Sequence, residues 1–154
     1  MKITEKEFKN YPENVKKKIN TSINLIILYE YYQDDYFDDW YFLIFPIVIG
    51  LEGYIKWLLI KLDFKVDKRI NYFEMESGRF RLRKDLNYNK SKKEIIKIVE
   101  DCYNVYIQYR HKLCHYEIGN KYDNSFIIEN KSKAIQIFNE IYLCFKEEKQ
   151  WKNI

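Results

Sequence analysis

The stretch from Trp40 to Leu62, WYFLIFPIVIGLEGYIKWLLIKL, constrains this chain more than any other. It is apolar on nearly every face, and such a helix is stable only when neighbours cover it all round. The sequence therefore predicts a helix at the centre of a bundle. Its longest uninterrupted apolar run, Trp40 to Leu51, is about half of what a membrane-spanning helix needs, and Glu52 ends it. Pro46 implies either a kink or a late helix start. Gly50 and Gly53 would let a neighbouring helix come close, at some cost in helix propensity.

The rest of the chain fits the same architecture. Four glycines and two prolines in 154 residues are too few turn-formers for a sandwich or barrel of many short strands. The 47% hydrophobic content is ample for one core, and the length suits one domain over 1–154. A first helix begins near Pro12 and carries Val15, Ile19, Ile23, Ile26, Ile27 and Tyr31 at mainly helical spacing. The acidic cluster Asp34, Asp35, Asp38 and Asp39 reads as a turn leading into the first turn of the central helix, where carboxylates suit the positive dipole end.

Between the central and third helices, FEMESGRFRLRKD has the pattern of a short hairpin or loop, with Gly78 at the turn. Ser91 and Glu94 have the spacing of a capping box opening a third helix that runs to about His115. A loop then covers 116–130, with a short extended segment at its FII sequence, before a fourth helix from Ser132 to Glu148. The expected fold is all-α: a four-helix bundle with a hairpin or loop insertion between helices 2 and 3.

Charge and cysteines bound the function loosely. The net charge of +4 permits a polyanionic partner without demanding one, because the lysine excess accompanies abundant Asn, Ile and Tyr and a single alanine, Ala134, the signature of an A+T-rich coding sequence. Cys102, Cys114 and Cys144 form no CxxC pair, and an odd count argues against a disulfide framework. The N-terminus lacks the apolar run of a signal peptide. A soluble cytoplasmic protein that does not engage a membrane is expected.

Chemistry concentrates in YRHKLCHYE, residues 109–117, which holds both histidines and one of five arginines. His111 and His115, about 40° apart on a helix, share a face and could form half of a zinc site. A metalloprotease would need Glu directly after His111, and Lys112 stands there. The competing reading is phosphoryl chemistry on RNA, which carries its own nucleophile, the 2′-hydroxyl. Cleavage then needs a proton acceptor near neutrality, met by histidine, and a permanent cation for the phosphorane charge, met by arginine. Arg110 and His115 lie about 140° apart on a regular helix. They converge only if the arginine reaches round, the helix ends there, or a second subunit completes the site.

Arg110-His111-Lys112-Leu113-Cys114-His115 resembles the R-x(4–6)-H motif of the HEPN superfamily of ribonucleases. GLEGYIKWLL, residues 50–59, and the FEMESGRFRLRKD loop are similar to segments of the catalytic domain of RNase LS toxins, the RnlA family. The resemblance spans most of 36–147. It implies a HEPN-like bundle and metal-independent endoribonucleolysis, with no cofactor, leaving a 2′,3′-cyclic phosphate. It also implies a homodimer with both motifs lining one cleft, RNA as substrate, and a toxin or antiphage role with an antitoxin protein as a candidate partner. Arg110 carries over as phosphate stabiliser, His115 as proton-transfer residue, and His111 as the polar position that orients the site or contacts phosphate. Glu52 matches an acidic position that helps build the site, and Asp39 a second. RNase LS toxins carry further N-terminal domains that this sequence is expected to lack, so their mode of antitoxin binding does not carry over. The implied alternative is a non-catalytic HEPN-type module binding nucleotide, RNA or protein.

Each residue also has a plainer reading. Arg110 could serve the dipole at a helix C-terminus, and Glu52 could form an i,i+4 ion pair with Lys56. Asp39 suits a helix start. Arg79, Arg81 and Arg83 could follow an RNA backbone or simply form a solvated strand face. Tyr29, Tyr31, Tyr32, Tyr36 and Tyr41 read as core or rim rather than base-stacking residues, and Cys114 as packing.

Overall fold

A computed structural model describes residues 10–67, 71–114 and 127–146. Side chains of 111–114 and of residue 146 are outside that description. The described chain is mostly helical: α1 (Glu13–Leu28), a 3-10 turn (Tyr41–Leu43), α2 (Phe45–Lys61), a hairpin of β1 (Phe73–Glu76) and β2 (Arg79–Leu82), α3 (Lys93–Cys114) and α4 (Lys131–Lys146).

α2 packs against α1, α3 and α4, the central place its apolar sequence demands. Nine of its residues are buried, including Leu51, Tyr54 and Leu58. The helix starts later than the acidic cluster suggests. Pro46 lies in its first turn, where a missing N–H costs nothing; further in, the ring would clash with the carbonyl four residues back. The residues before it form the 3-10 turn instead. No side chain of its own segment caps α2. The buried Ser22 of α1 does so from across the interface, its hydroxyl accepting a 3.0 Å bond from the Ile47 N–H.

α1 ends at Leu28, one turn short of the expected Tyr31, which is 92% exposed. Its stripe of Val15, Ile19, Ser22 and Ile23 is buried against α2. The two helices touch at the α2 glycines: a Cβ on Gly50 would lie 3.2 Å from Lys18 Cβ, and one on Gly53 3.2 Å from Val15 Cγ2.

The insertion is a two-residue hairpin with Phe73 opposite Leu82 and Glu76 opposite Arg79. Ser77 and Gly78 both take positive φ, 51° and 80°, as the tight hairpin turn requires. The outer edge of β2 is closed by α3 side chains. Asn104 Oδ1 accepts from the Phe80 N–H at 2.9 Å and its amide donates to the Phe80 carbonyl at 3.0 Å, while Glu100 Oε1 accepts from the Leu82 N–H at 3.0 Å.

At the start of α3, Ser91 does not act as the capping-box residue. Its hydroxyl donates to Asn89 Oδ1, and the helix opens two residues later. Asn130 caps α4, its Oδ1 accepting from the Lys133 N–H at 2.8 Å. Most of the expected 116–130 loop lies outside the described residues. Its last part ties down the approach to α2, with the Trp40 N–H donating to the Ile128 carbonyl at 2.9 Å.

Candidate active site

Glu52 is the one carboxylate in the apolar helix α2, and its neighbours decide what it can do. One turn on, Lys56 Nζ lies 2.6 Å from Glu52 Oε1, so the i,i+4 ion pair exists. The other oxygen faces α3. There Tyr106 donates its hydroxyl to Glu52 Oε2 at 2.7 Å, and Arg110 Nη1 lies 3.3 Å from the same oxygen. Arg110 also donates to the Tyr106 hydroxyl. Tyr103, Tyr106 and Arg110 stand at i, i+3 and i+7 on α3, the spacing of one helix face.

These groups line a cleft of about 350 Å³ between α2, α3 and the chain entering the hairpin, with Leu59, Asp67, Asn71, Tyr72 and Phe73 completing its walls. A wider hollow of about 570 Å³ opens on the far side of the hairpin, but its Arg83 is paired with Asp85 at 2.6 Å. Among the described residues, the Glu52 cleft gathers Lys56 and Arg110 with two carboxylates, Glu52 and Asp67, and the phenols of Tyr72, Tyr103 and Tyr106.

The electrostatics follow from the contacts. Burial pushes the Glu52 carboxyl up, but bonds from Lys56 and Tyr106 and the charges of Lys56 and Arg110 outweigh it. The net effect holds Glu52 below the ordinary carboxylate range, ionised at neutral pH. Burial, then the bond to Glu52, pushes the Tyr106 phenol far up, so it stays protonated and able to donate. Burial also raises Tyr103, opposed by the nearby Arg110 charge.

Of the residues singled out in the sequence, the structure brings together Glu52 and Arg110. Asp39 does not line this cleft. Its Oδ1 accepts from the Tyr41 N–H at 2.9 Å and the Ile128 N–H at 3.1 Å, a turn-forming role ahead of the 3-10 turn that ties this segment to the approach to α4. His111 falls within α3 with its side chain outside the described residues, and His115 lies outside them altogether. No group of His, Cys, Asp and Glu among the described residues could hold a metal ion, but the His111–His115 pairing rests on residues beyond that description.

The hairpin arginines do not form an open basic stripe. Arg79 pairs with Asp101 and Arg81 with Glu100, each at 2.6 Å, so these charges are spent on holding β2 to α3. Tyr106 is the functional candidate that sequence reasoning did not single out. Its signal was spacing: it stands one turn before Arg110, within reach of the same partner.

No described helix is long and apolar enough to cross a membrane. Neither a curated protein nor a solved structure matches the chain. Residues 2–117 match the protein-family model described as "RNase LS, bacterial toxin DBD domain". That description names the DBD domain, whereas the segments quoted from the sequence resemble the catalytic domain, so the match supports the RNase LS relation and leaves catalysis to argument. On this match over most of its length, the chain belongs to the RNase LS bacterial toxin family.

Proposed function

We propose that this chain is a metal-independent endoribonuclease of toxin type, a HEPN-like domain over 1–154 that acts on RNA in the cytoplasm as a homodimer, with an antitoxin protein as a further partner. The observation that carries the reading is Arg110, held 3.3 Å from Glu52 at a cleft and braced by Tyr106, on the helix that leads into the Arg110–His115 motif. A brace of this kind fixes a permanent cation before substrate arrives, which is what stabilising a phosphorane requires.

In this mechanism His115 accepts the 2′-hydroxyl proton, and the oxygen attacks the adjacent phosphorus. Arg110 stabilises the added negative charge. The P–O5′ bond breaks and the departing 5′-oxygen takes a proton from water, leaving a 2′,3′-cyclic phosphate and a 5′-hydroxyl, while His115 releases the proton it accepted to solvent. Glu52 orients Arg110, and His111 contacts phosphate or orients the site. In the homodimer the motif of the second copy lines the same cleft. No metal or cofactor enters the reaction.

The test incubates the protein with single-stranded RNA in excess EDTA, beside His115→Ala and Arg110→Ala. The parent should cut, both variants should lose at least about a hundredfold, and RNA with a 2′-deoxy residue at the cut should be inert. Equal cutting by all three proteins, or cutting of the deoxy substrate, refutes the mechanism. Activity abolished by EDTA and restored by zinc would establish the metal reading instead. A second reading, a non-catalytic HEPN-type module that binds nucleotide, RNA or a protein partner, is supported by the match to a model whose description names a DBD domain. RNA retained but uncut under the same conditions is its signature.

A further inference from the structure

We infer that the groove between α1 and α4 is a docking seat for a protein partner that presents an amphipathic helix. The helix lays an apolar stripe into the groove and carries lysine or arginine along the edge facing residues 30–38. This surface shares no lining residue with the Glu52 cleft and stands whether or not the chain cuts RNA.

The groove exists because the bundle is open on this side. Among the described residues, α1 and α4 both pack on α2 but scarcely on each other. Buried Ile23 and Phe138 form the floor between them, and the less covered Ile27 and Ile135 form the walls. Glu30 and Lys131 line it at the end of α1 and the start of α4. Past Ile27 the chain goes on exposing apolar surface at Leu28, Tyr31 and Tyr32. A volume of about 220 Å³ is below the range of small-molecule pockets and suits one or two side chains of a partner. Two helices with a gap between them accept the side-chain ridge of a third.

Charge selects the partner. From Ile19 to Ile55 the sequence has six carboxylates and no lysine or arginine, in a chain whose net charge is +4. Five of the six lie at 30–39. Glu30, Asp35 and Asp38 are exposed, and among the described residues no cation pairs with them. Lys131, the cation beside the groove, donates to the Glu30 carbonyl at 2.9 Å and to the Tyr32 carbonyl. The acidic segment is held in place. Phe37 has the rings of Tyr29, Trp40 and Phe42 at 5.6, 5.0 and 5.3 Å. The Trp40 indole donates to the Asp34 carbonyl at 2.7 Å, and the Ser132 hydroxyl to the Asp34 carboxylate at 2.8 Å. An anionic rim repels phosphate, so nucleic acid is a poor occupant and the basic edge of a protein helix a good one. A rim fixed before binding loses little freedom when that edge arrives.

The experiment displays helical peptides on phage, with leucine fixed at i, i+3, i+4 and i+7 and the flanking positions open to lysine, glutamate or serine, and selects on the immobilised protein. Lysine should be enriched at the flanks, and Ile27→Asp should weaken the selected peptide about tenfold or more. A triple reversal, Glu30→Lys with Asp35→Lys and Asp38→Lys, should turn the selection to glutamate while its circular dichroism matches the parent. Those three side chains are exposed, so the reversal tests the charge claim even where Ile27→Asp fails to fold. Three results overturn the inference: no peptide selected, binding unchanged in a folded Ile27→Asp protein, or the same flank charge selected on the parent and the reversed protein. Single-stranded RNA that displaces the selected peptide would make this a nucleic-acid face instead. Dimerisation detected by light scattering and abolished by Ile27→Asp would make a second copy the occupant. Either result also overturns the inference.

Discussion

Replacing Tyr106 with phenylalanine removes one oxygen atom and tests the bridge between α2 and α3. The lost hydroxyl donates to an ionised carboxylate at 2.7 Å, and hydrogen bonds to charged groups contribute roughly 1.5–3 kcal/mol. Two features lower that figure: the Glu52 side chain is 25% exposed, and Lys56 and Arg110 remain beside it. A loss of about 1–2 kcal/mol at pH 7 follows, or a fall in Tm of roughly 2–8 °C for a domain of this size. The loss should depend on pH. Glu52 is depressed in the folded chain relative to its ordinary value of 4.5, so its contribution is full above that value and is lost as pH falls through the folded one. Removing the phenol relaxes part of the depression. The gap between parent and variant is therefore complete at pH 7 and narrows below about pH 4.5 as Glu52 takes a proton. Urea unfolding by circular dichroism at pH 7 and pH 3.5 measures both quantities. A gap under about 0.5 kcal/mol at pH 7 would show that Tyr106 does not bridge the helices. A gap unchanged at pH 3.5 would show that the bridge does not run through the Glu52 charge.

Two further outcomes follow from buried polar groups. Ser22→Ala leaves the Ile47 N–H of α2 without its acceptor and should cost about 1–3 kcal/mol in urea unfolding with little change in native helix content; a change within about 0.5 kcal/mol would mean that the cross-helix cap is idle. Tyr106 and Tyr109 are both pushed up, chiefly by burial and then by bonds to Glu52 and Glu140, so stability should be full below the ordinary phenol value of 10.0 and decline as pH rises above it, when the unfolded chain ionises phenols that the native one keeps protonated. In an alkaline titration at 295 nm these two should ionise only as the helical signal is lost; complete phenolate absorbance before that loss would refute their burial.

The helices were legible because their apolar residues recur at helical spacing, and α2 because it is apolar all round. The Ser77-Gly78 turn was legible because Gly takes positive φ without strain. The starts of α1 and α4 fell within a residue of expectation, but those of α2 and α3 did not. Ser91 and Glu94 carry capping-box spacing, yet Asn89 takes the serine hydroxyl, and α2 is capped by a residue from another helix. Local pattern cannot report a partner 25 residues away. The hairpin arginines show the same limit: alternation placed them on one strand, but the carboxylates that neutralise them sit on α3.

Glu52 is where the sequence offered two rival readings, a structural ion pair or part of a site, and the geometry is compatible with both at once. One lysine suffices to neutralise one carboxylate, and Lys56 lies at ion-pair distance. The Lys56 pair does not stand alone at Glu52. Instead a second cation, braced by a protonated phenol, shares the same carboxylate at the mouth of a cleft. Cations held in fixed geometry are what a phosphate must find if it is not to wait for side chains to reorganise. In the proposed site the ion pair is thus a scaffold: Glu52 positions both cations before a phosphate arrives.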